Sequence, residues 1–144
     1  STHMKTSFLT FLLFMNLISN AYGQQTDTLS ITLDITFTKF NKGSILIALY
    51  ESEESYMEKI YKSAEVLVKD YQAQIVFKSL KKGVYAFSFF HDLNDNKELD
   101  SNFLGIPKEP YGFSNDKKGQ FGPPKFNESS LEINKNSTFK IFIE

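Results

Sequence analysis

The feature that most restricts the fold of this chain is an uninterrupted alternation of apolar and polar side chains over residues 29–38. In the run LSITLDITFT, each odd-numbered residue is apolar and each even-numbered residue is Ser, Thr or Asp. Successive side chains of a β-strand point to opposite faces, so this period of two predicts a strand with one buried face. A helix, with about 3.6 residues per turn, would spread these apolar side chains over all its sides.

Two further strong strand patterns follow along the chain. The run SILIALYE, which comes after turn residues at 41–43, is apolar on both faces, as expected of a central strand. In the run VYAFSFFH, one face carries Tyr85, Phe87, Phe89 and His91. Both runs are therefore expected to contribute to one buried core.

The remaining patterns predict the fold class. Residues 52–63 have helical spacing and are expected to form one or two turns, while the last two strand patterns are expected to form a closing hairpin. Short strands separated by turns about every 8–12 residues predict an all-β fold, a single β-sandwich of about seven strands with one long ordered loop. The predicted strands are 29–38, 44–51, 65–69, 73–78, 84–91, 129–134 and 137–144.

The first residues are expected to lie outside this domain. Ser1–His3 resemble a cloning scar, and residues 4–23 have the basic start, apolar run and small-residue cleavage site of a secretory signal. The apolar run is shorter than the roughly 20 residues that a membrane span needs. We therefore expect an exported protein, periplasmic or extracellular, that is not an integral membrane protein after cleavage and has one domain over residues 24–144.

Composition excludes several classes of function. The chain has no Cys, so disulfides and thiol chemistry are excluded. A net charge of −1 provides no electrostatic basis for binding nucleic acid. His91 is the only His beyond the scar, and Ser114 does not lie in a strand–turn–helix elbow, so neither a Ser–His triad nor a usual transition-metal site is predicted. These observations favour a protein that is not an enzyme.

Residues 92–127 form the longest stretch without strand periodicity, and they are rich in Gly, Pro and Asn. Loops of this length in a compact domain are usually functional or disordered. This segment holds too many aromatic and aliphatic residues for disorder. We therefore expect an ordered loop that is pinned by its own aromatic side chains.

The same segment carries a distinctive series of polar, Gly, Pro and aromatic positions. The series is Phe90, His91, Asp92, Asn94, Asn96, Asp100, Asn102, Gly105, Pro107, Glu109, Tyr111 to Asn115, Gly119, Phe121 to Pro124 and Phe126. In this series, and in the runs KGSILIALYESEE and LKKGVYAFSFFHD, the chain resembles the exported bacterial family called domain of unknown function 2141. Lys97 and Pro110 stand where that family commonly has Gly. The resemblance implies an immunoglobulin-like or transthyretin-like sandwich and implies no activity.

The start of the long loop has the oxygen spacing of a calcium site. The pattern D-x-N-x-N-x-x-x-D resembles an EF-hand loop, but Lys97 replaces the Gly of the sixth position and Phe103 the Glu of the twelfth. Calcium would then bind weakly, with a Kd of roughly 10⁻⁴–10⁻³ M. The alternative is that these residues only form turns through local hydrogen bonds. The calcium ligands would be Asp92, Asn94, Asn96, the Glu98 carbonyl and Asp100.

The face that carries the long loop is the predicted site for an unidentified extracytoplasmic ligand or protein partner. Exposed aromatic side chains would form a platform for the ligand; alternatively, they would plug the open end of the sandwich. An alternative function is a hydrolase of the cell envelope that uses the carboxylates of Asp92, Asp100 or Glu109. The predicted ligand-binding residues are His91, Tyr111, Phe113, Ser114, Asn115 and Phe121.

Overall fold

The computed structural model describes residues 27–119 and 122–144, and the described residues form a β-sandwich of two sheets. The predicted all-β class is confirmed, with eight strands in these residues rather than about seven. A single turn of 3₁₀ helix, Ser114–Asp116, and one short helix, α1 (Phe126–Ser129), complete the regular structure. The strands are β1 (Leu29–Phe37), β2 (Ser44–Tyr50), β3 (Lys62–Leu67), β4 (Gln72–Leu80), β5 (Gly83–Asp92), β6 (Tyr111–Phe113), β7 (Leu131–Ile133) and β8 (Ser137–Ile143).

The first sheet has the strand order β4-β1-β8. Its central strand β1 pairs antiparallel with β4 and parallel with β8. Ile31, Leu33 and Ile35 on the inner face of β1 are buried, which confirms the strand that the alternation predicts. Their β-branched or long apolar side chains suit a pleated, buried surface, and they form one side of the core.

The second sheet has the order β3-β2-β5-β6, and β7 also pairs with β5. Strand β2 lies inside the sheet, as its two apolar faces predict. Ile45, Ile47 and Leu49 of β2 and Phe87 and Phe89 of β5 are buried and form the other side of the core. The core is thus built from alternate residues of both sheets, as expected of a sandwich.

The last two strands do not form the predicted hairpin. Leu131 and Ile133 of β7 pair with β5 in the second sheet, whereas Ile141 and Ile143 of β8 lie in the first sheet beside β1. The turn at 135–136 therefore crosses from one sheet to the other. Each strand has one apolar face, and placing them on opposite sides of the core buries both faces.

The segment between β2 and β3, residues 51–61, contains hydrogen-bonded turns rather than a regular helix. The amides of Glu58 and Lys59 both donate to the Ser55 carbonyl, at 3.0 and 2.8 Å. Strand β3 then begins at residue 62, three residues earlier than predicted. In the described part of the chain, no helix has the length and apolar character needed to span a membrane.

Candidate functional site

The outer faces of the two sheets differ in polarity. On the first sheet this face is polar apart from Val76 and Phe142, which lie on strands separated by β1, and Gln74 Nε2 donates across it to Asp34 Oδ1 at 2.7 Å. On the second sheet, the outer face of the two inner strands carries Leu46, Ala48 and Phe90, and Leu46 lies directly opposite Phe90. Outward positions of a sandwich are usually polar, and an exposed apolar patch often marks an interaction site. The outer face of the second sheet is therefore the stronger candidate.

A groove of about 520 Å³, which we call the sheet groove, runs over this apolar face. Leu46, Ala48 and Phe90 form its floor, because they project outward from the two inner strands. Met57 and Ile60 of the 51–61 segment line one side, and their side chains are 41% and 54% exposed. Apolar groups thus remain accessible on the floor and on this side.

The loop between β5 and β6, residues 93–110, lines another side of the sheet groove through Leu99 and Lys97. The Lys97 ammonium group donates to the carboxylates of Asp95, at 2.6 Å, and of Glu65. These two hydrogen bonds raise the pKa of Lys97 above its usual value, so its charge is permanent at neutral pH. The groove consequently has an apolar interior, and the positive charge of Lys97 at its rim is paired with carboxylates of the protein itself.

Strand β6 forms a further edge of the sheet groove through Tyr111 and Phe113, which lie opposite Phe90 and Ser88. Tyr111 is 36% exposed, whereas Phe113 is only 8% exposed. Of the aromatic residues predicted to contact a ligand, Tyr111 is thus accessible and Phe113 is largely covered. Phe121 lies outside the described residues.

Ser114 and Asn115, also predicted to bind a ligand, hold the backbone in place instead. The buried Ser114 hydroxyl accepts the Phe87 amide at 3.1 Å and donates to the Ser129 carbonyl. Asn115 has a left-handed φ of 63° and donates its side-chain amide to the Ser130 carbonyl at 2.9 Å. Both side chains therefore connect the end of β6 to the segment around α1, away from the sheet groove.

His91 is 1% exposed and lies on the inner side of β5, as the alternation predicts. Its ring centroid is 4.6 Å from that of Phe37, and Nε2 lies 2.6 Å from the Lys42 carbonyl oxygen. A carbonyl only accepts, so Nε2 carries the proton and donates it. Nδ1 is buried and has no hydrogen-bond partner among the described residues. His91 therefore lies in the core rather than in the sheet groove.

The base of the 93–110 loop is held by two buried carboxylates. Glu109, 7% exposed, accepts the Leu93 amide at Oε1 (2.9 Å) and the Asp100 amide at Oε2 (3.2 Å). Asp92 is fully buried, and its Oδ2 accepts the Lys97 amide at 2.9 Å. Both groups bind backbone amides within the fold. Glu109 lines a cleft beside β6, but Asp92 and Asp100 do not line it, so the cleft does not bring two of the three carboxylates together. This placement provides no support for the hydrolase alternative.

Above this base, three side chains of the predicted calcium loop meet. Asn94 Nδ2 donates to Asp100 Oδ2 at 2.7 Å, and Asn96 Nδ2 donates to Asp100 Oδ1 at 2.8 Å. The exposed Glu98 donates its backbone amide to Asn96 Oδ1 at 3.1 Å. The described residues contain no group of three or more His, Cys, Asp or Glu side chains placed to hold a metal ion. Any cation here would need amide oxygens as well as carboxylates.

The tip of the 93–110 loop is apolar and exposed. Asn102 Oδ1 accepts the amides of Leu104 and Ile106, at 2.9 and 3.0 Å, and fixes a tight turn at Gly105. Phe103 is nevertheless 96% exposed. Asn, Asp and Glu side chains thus hold this part of the loop, and the expectation that its own aromatics pin it is wrong there. Nor does Phe103 plug the end of the sandwich.

Some residues of the sheet groove were not predicted as site residues. Met57, Ile60 and Leu99 are apolar residues in segments rich in Glu, Lys, Asp and Asn, and this setting is the signal that could have identified them. Leu46 and Phe90 were assigned to the strands because they continue the apolar runs. Periodicity alone does not show that one apolar face stays uncovered.

Comparison with known proteins gives one match. A family model described as "Uncharacterized protein conserved in bacteria (DUF2141)" matches residues 33–140. No curated protein and no solved structure matches the chain significantly. The matched range contains all the residues named above as lining the sheet groove, together with the whole of the 93–110 loop.

Proposed function

This chain belongs to DUF2141, a family of uncharacterized proteins conserved in bacteria, and we propose that it is an exported, non-enzymatic binding protein. Its ligand occupies the sheet groove and is a small molecule with a flat apolar body. The protein works outside the cytoplasm, in the periplasm or beyond the cell, as one domain over residues 24–144. The signal-like pattern of residues 4–23 supports this location.

The observation that carries this proposal is the partly exposed apolar surface over the second sheet. Leu46 and Phe90 face outward from adjacent inner strands, yet no further layer of secondary structure in the described residues covers them. Covering them with a ligand would remove apolar area from water, and each Å² removed contributes roughly 25 cal/mol of favourable free energy to binding. Binding a ligand is a direct use for such a surface.

The size and lining of the groove favour a small molecule. Its volume of about 520 Å³ lies in the range of roughly 300–1,000 Å³ that is typical of small-molecule sites. The hydroxyl groups of Ser63, Ser88 and Tyr111 line the same groove and provide a few polar contacts that could orient the ligand. The Lys97 charge is already paired with two carboxylates, so a neutral ligand fits better than an anion.

The test uses the neutral fluorescent probe N-phenyl-1-naphthylamine, which becomes bright in an apolar site. We expect saturable binding to the purified chain. Ile60→Ser removes one exposed apolar side of the groove and is expected to weaken binding about tenfold, since burying such a side chain contributes about 1.5–3 kcal/mol. Ala48→Phe, which fills the groove from its floor, should prevent binding without removing any existing contact.

The matched control is Val76→Ser. Val76 is 42% exposed, close to Ile60 at 54%, but it lies on the outer face of the first sheet. This variant should bind the probe within about twofold of the original chain, as for an ordinary surface substitution. Equal losses in Ile60→Ser and Val76→Ser, or unchanged binding in Ala48→Phe with a normal circular dichroism spectrum, would show that the probe does not use the groove.

A further inference from the structure

We propose that residues 92–100 bind one calcium ion through Asp92, Asp100 and the side-chain oxygens of Asn94 and Asn96. The inference is independent of the ligand in the sheet groove. Asp92 is fully buried, and its Oδ1 has no hydrogen-bond partner among the described residues. A buried carboxylate oxygen is strongly destabilising unless a donor or a cation binds it.

The Asp92 carboxylate is aimed into the loop. Its second oxygen, Oδ2, accepts the backbone amide of Lys97, five residues later, so the carboxylate lies inside the curve of the chain. The ammonium group of Lys97 does not neutralise it, because that group is paired with Glu65 and Asp95. The charge of this carboxylate is therefore not balanced by Lys97, and its Oδ1 is the atom that a cation would bind.

The other three proposed ligands already contact one another. Both oxygens of Asp100 are held by the side-chain amides of Asn94 and Asn96, at 2.7 and 2.8 Å. A half-turn of each carboxamide exchanges its nitrogen and oxygen, so the same three side chains would then present oxygens to a shared centre. The half-turn gives up a long contact from the Asn96 amide, at 3.4 Å, and an ordinary hydrogen bond from the Glu98 amide, at 3.1 Å, which calcium binding must offset.

Glu109 keeps the two charged ligands in one place. Its carboxylate bonds the amides of Leu93 and Asp100, so the chain next to Asp92 and the chain at Asp100 are tied to the same group. Two ligand carboxylates balance one divalent charge. Calcium takes 6–8 oxygens in flexible geometry, so water and loop carbonyls such as that of Glu98 complete the shell. Magnesium needs a rigid octahedron, which this loop does not supply.

With only two carboxylates, the affinity belongs to the weak extracellular range, a Kd of roughly 10⁻⁴–10⁻³ M. The first experiment is a calorimetric titration of the purified chain with calcium chloride, alongside thermal melts in calcium and in chelator. We expect one saturable site and a Tm that rises by several degrees at about 10 mM calcium. Magnesium chloride at the same concentration should shift the Tm much less.

Asp92→Asn and Asp100→Asn test the ligands. Each should weaken calcium binding about tenfold or more, since each removes one ligand charge at the ion. Asp100 is part-exposed, so this variant remains informative if Asp92→Asn fails to fold. The control is Asp95→Asn, whose side chain is 76% exposed and contacts Lys97 rather than the proposed centre. It should retain the calcium affinity within about twofold.

Nuclear magnetic resonance distinguishes the site from general surface charge. Calcium should shift the side-chain amide signals of Asn94 and Asn96, because their hydrogen bonds to Asp100 break. The signals of Asn115, which bonds the Ser130 carbonyl, should stay in place. An absent heat signal with an unchanged melt in about 10 mM calcium would overturn the proposal, as would equal losses of affinity in Asp95→Asn and Asp100→Asn.

Discussion

Gly112 lies against the ring of Phe89 so closely that a Cβ at position 112 would stand 2.4 Å from the Phe89 Cζ atom. The two residues pair across β5 and β6, and Phe89 belongs to the core. A side chain at 112 must therefore displace either the ring or strand β6. Because the same strand carries Tyr111 and Phe113, this contact sets one edge of the sheet groove.

Gly112→Ala is accordingly expected to lower the free energy of unfolding by about 1–3 kcal/mol, the usual cost of overpacking a core. Urea unfolding measures this change. Gly83→Ala is the matched control, because its Cβ would meet only ordinary contacts, the nearest at 3.7 Å from Tyr85 Cε2. A similar loss in both variants would mean that contact with Phe89 does not cause the effect.

Glu109→Gln should also destabilise the chain, by about 1–3 kcal/mol. The Glu109 carboxylate accepts two backbone amides, from Leu93 and Asp100, and a carboxamide can accept only one of them. The measurement is again urea unfolding, with hydrogen exchange of those two amides as the local readout. Glu98→Gln, at an exposed position of the same loop, should leave both measurements unchanged.

Ser114→Ala is expected to reduce stability by about 1–3 kcal/mol, because the buried Phe87 amide loses the hydroxyl that accepts it. It should leave the affinity for N-phenyl-1-naphthylamine unchanged, since Ser114 does not line the sheet groove. Ser130→Ala, which removes a 3.3 Å contact to the Asn127 carbonyl, is the control for stability. A lower probe affinity in Ser114→Ala with normal stability would instead assign Ser114 to the ligand.

Alkaline pH should destabilise the fold through two phenols. Burial raises the pKa of Tyr56 and of Tyr85 above 10.0, so the folded state holds these protons more tightly than the unfolded state. The resulting stability is fully present below the unfolded pKa and is lost as pH rises through the folded pKa. Urea midpoints measured from neutral pH to above 10 should fall, and they should fall less steeply in Tyr56→Phe. An equal slope in Tyr56→Phe would assign the loss to other groups.

The strands could be predicted from sequence wherever periodicity and burial coincide. The alternation around Ile31 and Leu33 identified β1, and the doubly apolar run around Ile47 identified β2 as an interior strand. The pairing of β7 and β8 could not be predicted in the same way. The short connection between the two strands favours a hairpin. They face the core from opposite sheets, however, and only the three-dimensional arrangement shows this.

The site was predictable only in part. Tyr111 was identified by its place in an aromatic loop and does line the sheet groove, whereas Ser114 and Asn115 resemble ligand residues but bond the backbone. The groove itself was not predictable. The outward exposure of Leu46 depends on what the 51–61 segment leaves uncovered, and that is decided by tertiary packing rather than by the local pattern.

The parallel pairing of β1 with β8 also affects how this protein is made. Ser30 donates its amide to Asn136 Oδ1, 106 residues away along the chain, and β1 gains its second neighbour only from residues 137–143. Contacts between residues so far apart along the chain form late and slowly, because a long loop must close before they contribute. While the ribosome is still adding residues before 137, the first sheet therefore lacks a strand. At that stage β1 pairs with β4 alone, and its other edge has no partner strand.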